Sequence, residues 1–198
     1  VVIGHQAWDT LVIIDPKTSE IKPLLATKWA WVNPTTLEME LRTDVKFHSG
    51  QAMDADDVAY TLNFVSDKEN AISNFALLSF IKSAEKIDAH KVRINLRNPF
   101  PPALANLAGL GFILQKGHYD SAPVKPDGKK DFGAVPPNGT GPYRIAEVKP
   151  GQSILMTKNA AYFKGGFKGE PAISKILFRT IKDAITEALA HHQLAVVV

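Results

Sequence analysis

Residues Leu41–Val65 read LRTDVKFHSGQAMDADDVAYTLNFV, and this stretch decides the fold. Leading into it, Leu37, Met39 and Leu41 alternate with Glu38, Glu40 and Arg42, the period of a strand with one buried face. Ser49-Gly50 breaks that strand, because glycine tolerates the positive φ that a tight reversal requires. A helix is expected to start abruptly at Asp54. Its carboxylate can cap the free N–H groups of the first turn, while Asp56 and Asp57 place negative charge at the positive end of the helix dipole. Met53 before the cap and Val58 four residues after it are spaced for a hydrophobic staple. Val58, Leu62 and Val65 then continue as an inward stripe. Periodicity alone predicts a strand, a turn and a helix in an α+β domain.

Outward from this stretch, Val2, Ile3, Ala7 and Trp8 fit a helix entered midway, and Leu11–Ile14 is an apolar run of strand length. Asp15-Pro16-Lys17-Thr18 is a turn. Trp29 and Trp31 are large rings suited to core or hairpin packing. Ser66–Asn74 reads as a loop and Phe75–Phe80 as a short helix. A hairpin follows, with Ile81–Asp88 and Lys91–Leu96 flanking Ala89-His90. Val92, Ile94 and Leu96 face one way, and Arg93, Asn95 and Arg97 the other. Asn98-Pro99 stops that strand, and Pro101-Pro102 opens a helix through Ala103–Leu107. Lys116–Asn138, rich in proline and glycine, is a long surface connection and the expected lobe boundary. Tyr143, Ile145 and Val148 begin a new strand, Pro150-Gly151 turns it, and Ile154–Lys158 return. Ile173–Ile181 reads as a strand, Asp183 as the cap of a helix through Ile185, Ala188 and Leu189, and Leu194–Val198 as a strand. That order suggests a parallel unit.

The identities in the opening stretch go further than its periodicity. Leu41-Arg42, Val45-Lys46-Phe47-His48-Ser49-Gly50 and Ala55-Asp56-Asp57-Val58 closely resemble the signature of the family 5 extracellular solute-binding proteins, the oligopeptide, dipeptide and nickel receptors of ABC importers. Pro23, Leu25, Ala26 and Trp29 match a second element of that family, and Leu96 and Pro99 a third. Gly139-Thr140-Gly141-Pro142-Tyr143 matches a fourth almost letter for letter. Asn159, Tyr162 and Phe163 resemble the element that ends the following hairpin. Gln193 and Leu194 fit the family's crossing into the far lobe, where His192 and Ala195 depart from it.

The resemblance implies a mixed α/β (α+β) fold, periplasmic-binding-protein-like of type II and incomplete. Residues 1–10 would start a binding lobe, 11–138 would form an accessory small lobe, and 139–198 would form part of the ligand-binding lobe, with the far lobe absent. It implies a substrate-binding component of an ABC transporter, periplasmic or anchored outside the membrane. Its partners would be a small solute, peptide by default, and the membrane permease. The candidate ligand-binding residues are Phe75, Thr140 and Tyr143. Phe75 falls where the family places an aromatic near the ligand, and packing of the small lobe is the other use of that ring. Thr140 and Tyr143 stand beside the lobe crossing. An unclosed sheet would leave strand edges open to association.

Composition narrows the alternatives. With 198 residues the chain can hold one large domain or two small ones. The net charge of +3 comes with scattered lysines, whereas a nucleic-acid footprint needs them gathered on one face, so no nucleic-acid partner is expected. The absence of cysteine excludes disulfides, thiol nucleophiles and cysteine-ligated zinc. No apolar run reaches the roughly 20 residues of a membrane span. Val1-Val2-Ile3-Gly4-His5 has no basic segment before an apolar core and reads as no signal peptide.

No G-x-S-x-G, Gly-rich phosphate loop or H-E-x-x-H is present, and no cofactor or enzymatic activity is expected. His191 and His192 are adjacent and would diverge on a helix. His48 and His118 are isolated and read as surface or packing histidines. Asp54, Asp56 and Asp57 are explained by capping. Asn138-Gly139-Thr140 is a formal glycosylation sequon, a three-residue match frequent by chance. The competing readings are an α/β hydrolase or transferase, which a nucleophile–base pair in a cleft would favour, and a non-catalytic interaction module, which a reproducible oligomer would favour.

Overall fold

A computed structural model describes residues 2–70 and 75–180. Helix α1 (Val2–Ala7) leads into the hairpin of β1 (Val12–Ile14) and β2 (Ile21–Pro23). Strands β3 (Ala26–Asn33) and β4 (Thr36–Leu41) follow, then α2 (Ala55–Val65), the short α3 (Phe75–Leu78), β5 (Ile81–Asp88), β6 (Lys91–Leu96) and α4 (Ala103–Leu110). The last described elements are β7 (Tyr143–Lys149), β8 (Ser153–Lys158) and β9 (Lys175–Arg179). A four-stranded sheet has the order β3-β4-β6-β5 and a three-stranded sheet the order β7-β8-β9.

Alternation builds the larger sheet. Leu37, Met39 and Leu41 of β4 and Val92, Ile94 and Leu96 of β6 are all buried on one face. The register pairs Leu37 with Ile94 and Met39 with Val92, so apolar side chains meet across the strands. The opposite face is polar: Glu38 lies 2.7 Å from both Lys91 and Arg93. Helix α2 covers the apolar face with Val58, Leu62 and Val65. Removing a leucine side chain such as Leu62 from water contributes about 1.5–3 kcal/mol.

The expected start of α2 is present in full. The Asp54 carboxylate accepts from the Asp56 and Asp57 N–H groups, and Asp57 accepts from the Asp54 N–H, a reciprocal box. Met53 and Val58 are buried in the same core. Capping does not exhaust the acidic run, however. Asp56 pairs with Lys86 at 2.5 Å and Lys116 at 3.3 Å, and Asp57 also accepts the Lys116 N–H at 2.8 Å, so the run ties the 116 segment to the helix.

Two apolar clusters result. The larger surrounds the four-stranded sheet and takes in Leu11, Leu24, Leu25, Ala103, Leu107 and Ile113, together with Tyr162 and Phe163 from far along the chain. The smaller joins Ala7 of α1 to Tyr143 and Met156 under the three-stranded sheet. Strand β3 carries no strand signature in the sequence. It is an edge strand whose residues after Ala26 are largely exposed, so no alternation marks it. Every described strand pair is antiparallel, including β8 with β9. The expected parallel unit would need the helix from Asp183 and the strand from Leu194, which lie outside the described residues, as do His191, His192 and Gln193.

Candidate functional site

The segments that make the site meet along a seam between the two sheets. The turn after β4 runs through Phe47-His48-Ser49-Gly50, and Gly50 takes φ +92°, a conformation that suits only glycine well. His48 donates its backbone N–H to the Gly139 carbonyl at 2.7 Å, and the Ser49 N–H donates to Asn138 Oδ1 at 3.0 Å. Asn138 is buried and its amide also donates to Gln115 Oε1. That amide is thereby spent on the seam, which places the sequon asparagine inside the fold. Arg144 donates to the His48 carbonyl at 2.8 Å and to Asn159 Oδ1 at 3.1 Å, while the Asn159 amide donates to the Gly141 carbonyl at 3.0 Å. His118 is bonded through Nε2 to the Pro136 carbonyl at 2.7 Å.

On the other side of the 139–142 segment lies α1. A Cβ on Gly139 would stand 2.0 Å from the Ala7 carbonyl oxygen, and one on Gly141 would stand 2.4 Å from that of Gln6. The two glycines are required because backbone passes directly against backbone. The end of α1 is held by a buried polar cluster. Asp9 is fully buried, and its carboxylate accepts from Lys168 Nζ at 2.6 Å, Thr140 Oγ1 at 3.0 Å and Tyr162 OH at 3.2 Å. The Asp9 N–H in turn donates to Thr140 Oγ1 at 3.2 Å. Lys168 Nζ also donates to the His5 and Trp8 carbonyls, closing the open C-terminal end of α1 with a cation. Burial, then the negative charge of Asp9, pushes the Tyr162 phenol far above its ordinary value of 10.0.

Beside this cluster opens a cleft of about 620 Å³. Its walls are Ile13 and Ile14 from β1, Ala108 and Gly109 from α4, Pro142 and Tyr143 from the seam strand, and Phe167–Ile173 from the loop before β9. Ile14, Phe167 and Ile173 are large apolar side chains left exposed there. His5, Gln6, Lys168 and Glu170 supply polar groups to the lining, which among the described residues contains no serine, threonine or cysteine. Burial and the Lys168 charge hold the His5 imidazole below its ordinary 6.5. Among the described residues no group of three or more His, Cys, Asp or Glu side chains is placed to hold a metal ion. The size and apolar walls suit a small solute, since ligand clefts run to about 300–1,000 Å³.

The three residues singled out from the sequence fall in different places. Tyr143 is buried against Ala7 and Met156 and lines the cleft. Thr140 is buried with its hydroxyl spent in both directions on Asp9, so it supports the wall from behind. Phe75 is the first residue of α3, and its side chain is not among those described. Sequence reasoning missed Asp9 and Lys168. They stand 159 positions apart, and no local pattern marks either as half of a pair.

The architecture is that of part of a type II periplasmic-binding protein. The chain belongs to the bacterial extracellular solute-binding proteins of family 5: the family described as "Bacterial extracellular solute-binding proteins, family 5 Middle" matches residues 20–194. The probable ABC transporter periplasmic-binding protein SapA of Escherichia coli (strain K12) is 30% identical over 181 residues, covering 82% of this chain and 33% of that protein. NikZ of Campylobacter jejuni, solved in complex with Ni(L-His), matches with a TM-score of 0.81 at 23% identity, covering 95% of this chain and 36% of its own. A dipeptide binding protein of Pseudoalteromonas sp. SM9913, solved in complex with Met-Leu, matches with a TM-score of 0.80 at 26% identity, covering 98% of this chain and 41% of its own. The chain therefore spans well under half the length of each of these proteins.

Proposed function

We propose that the chain is part of the solute-receptor component of an ABC importer, acting outside the cytoplasmic membrane. It takes up a small solute, with peptides as the first class to test, and delivers it to the membrane permease without chemical change. The observation that carries this reading is the apolar cleft at the seam, together with the family to which the chain belongs. Relatives of this chain include a di/tripeptide-binding protein, a dipeptide binding protein solved with Met-Leu and NikZ solved with Ni(L-His). The hydrolase or transferase alternative needs a nucleophile beside a base. Among the described residues the cleft offers His5 and Glu170 with no hydroxyl or thiol of serine, threonine or cysteine, and the Lys168 ammonium is committed to Asp9.

In this reading residues 1–10 and 139–198 belong to a ligand-binding lobe and 11–138 to an accessory lobe. The two apolar clusters support that division, with Tyr162 and Phe163 crossing it to pack on the accessory side. Tyr143 is proposed as a wall of the solute site, Thr140 as its support, and Phe75 as a contact from the accessory lobe. Closure of lobes about a solute is the mechanism such a two-lobed receptor would use.

Native mass spectrometry of the gently purified full-length gene product tests this. A discrete extra mass lost on denaturation supports the reading. A protein that carries no such mass, and gains none from a pool of di- to oligopeptides, counts against peptide as the solute.

A further inference from the structure

His48 sits at the centre of the seam, and its ring is fixed by two backbone groups of opposite character. Nε2 lies 3.0 Å from the Gly141 carbonyl oxygen, which can only accept. Nδ1 lies 3.4 Å from the Gly139 N–H, which can only donate. One protonation state satisfies both: the neutral ring with its proton on Nε2 and a bare lone pair on Nδ1. Neither contact involves a carboxylate. We propose that His48 is a proton-sensitive latch, whose neutral ring bridges Gly139 and Gly141 and whose protonation weakens the hold of the 47–50 turn on the 139–141 segment.

The surroundings of the ring give the latch its direction. Adding a proton to Nδ1 sets a donor against the Gly139 N–H, so one hydrogen bond becomes a repulsive contact. The charged group nearest on β7 is Arg144, whose guanidinium donates to the His48 carbonyl and disfavours a second cation beside it. On the side of α1 the charge is Asp9, whose pull on an imidazolium is met by Lys168 at 2.6 Å. The remaining neighbours in the seam, Ser49, Gln115 and Asn138, are neutral and already bonded to one another. Burial is the largest influence and lowers the ring below its ordinary 6.5; the Gly141 carbonyl acts the other way, Arg144 with burial, and Asp9 against it. The latched segment leads straight into Pro142 and Tyr143, which line the cleft. A pH-dependent latch at this position therefore governs the placement of one cleft wall. The latch itself does not depend on the solute reading.

The test is made on the full-length protein. Ring-nitrogen NMR of uniformly labelled protein, with the His48 signals assigned by their loss in His48→Gln, reads tautomer and titration together. The latch requires a proton on Nε2, a bare Nδ1 and a midpoint below 6.5. A proton on Nδ1, or a midpoint at or above 6.5, overturns it. Glutamine can donate and accept at this site without titrating. Denaturant unfolding of wild type and His48→Gln between pH 8 and pH 5 should give an advantage of wild type that shrinks in acid. The wild-type folding constant should fall relative to the variant by up to about tenfold per pH unit below 6.5, until the native ring itself titrates. A pH-independent gap between the two overturns the latch. Should the variant fail to fold, the tautomer and midpoint of the wild-type ring still decide.

Discussion

The Asp9 carboxylate and the Lys168 ammonium meet at 2.6 Å inside the protein, 159 positions apart in the chain, with Asp9 fully buried and Lys168 nearly so. This pair joins the end of α1 to the loop that forms one wall of the cleft. A buried ion pair of this kind is costly to break singly, because the survivor is left without compensation in a medium of low polarity. Asp9→Asn or Lys168→Met should each lower stability by about 3–5 kcal/mol, and the double variant by less than the sum of the two. Urea unfolding of the four proteins checks this. Additive losses would mean that the two groups do not act as a pair.

Gly139 and Gly141 are expected to tolerate no side chain. A methyl at either position would meet carbonyl oxygens of α1 at 2.0 or 2.4 Å, and backbone cannot move aside as a side-chain tip can. Gly139→Ala and Gly141→Ala should yield little soluble folded protein. Gly151→Ala is the control: it lies in open space at φ +67°, where alanine costs about 1–2 kcal/mol. Equal yields from all three variants would refute the close approach of the 139–141 segment to α1.

The alkaline limit of stability should depend on Tyr162. Its phenol is held above 10.0 in the folded protein, by burial first and by Asp9 second. The unfolded chain therefore loses its tyrosine proton first, and stability falls as pH rises through about 10. Tyr162→Phe should flatten part of that limb while removing one hydrogen bond to Asp9. Denaturant midpoints between pH 8.5 and 11 measure the difference. An unchanged slope in the variant would place the limb elsewhere, with Tyr60, pushed up to about 12 by burial and Asp120, the next residue to substitute.

The cleft makes a prediction separable from folding. Ile14 and Phe167 are 39% and 41% exposed, so a change there removes little core packing. Ile14→Asp or Phe167→Asp in the full-length protein should weaken solute binding at least tenfold while shifting the unfolding midpoint little. Calorimetric titration beside thermal unfolding separates the two effects. Unchanged affinity in both variants would move the solute site away from this cleft.

Much of this architecture was legible locally. Asp54 announced its helix because a cap, its reciprocal partner and the staple residues all lie within five positions. The β5–β6 hairpin was legible because Val92, Ile94 and Leu96 alternate with polar residues against a single buried face. The edge strand β3 was not, since exposure on both faces erases the alternation. The seam was harder. His48 looks isolated in sequence, and its two ring partners lie 91 and 93 positions away. The Gly-Thr-Gly-Pro-Tyr element marked the right strand, yet its threonine faces Asp9 and its tyrosine faces the cleft, a division set by packing against α1. Glu38 and Arg93 are a further pairing that no local pattern marks, since they stand 55 positions apart and meet only across the β4–β6 register.

A solute receptor of the proposed kind holds its solute and returns it unaltered. Equilibrium dialysis of the full-length protein against a peptide pool, followed by denaturation and chemical analysis of what was bound, tests it most directly. Saturable uptake of one solute per protein, recovered intact, is the expected result. Recovery of a cleaved or otherwise modified solute would contradict it and bring catalysis forward in its place.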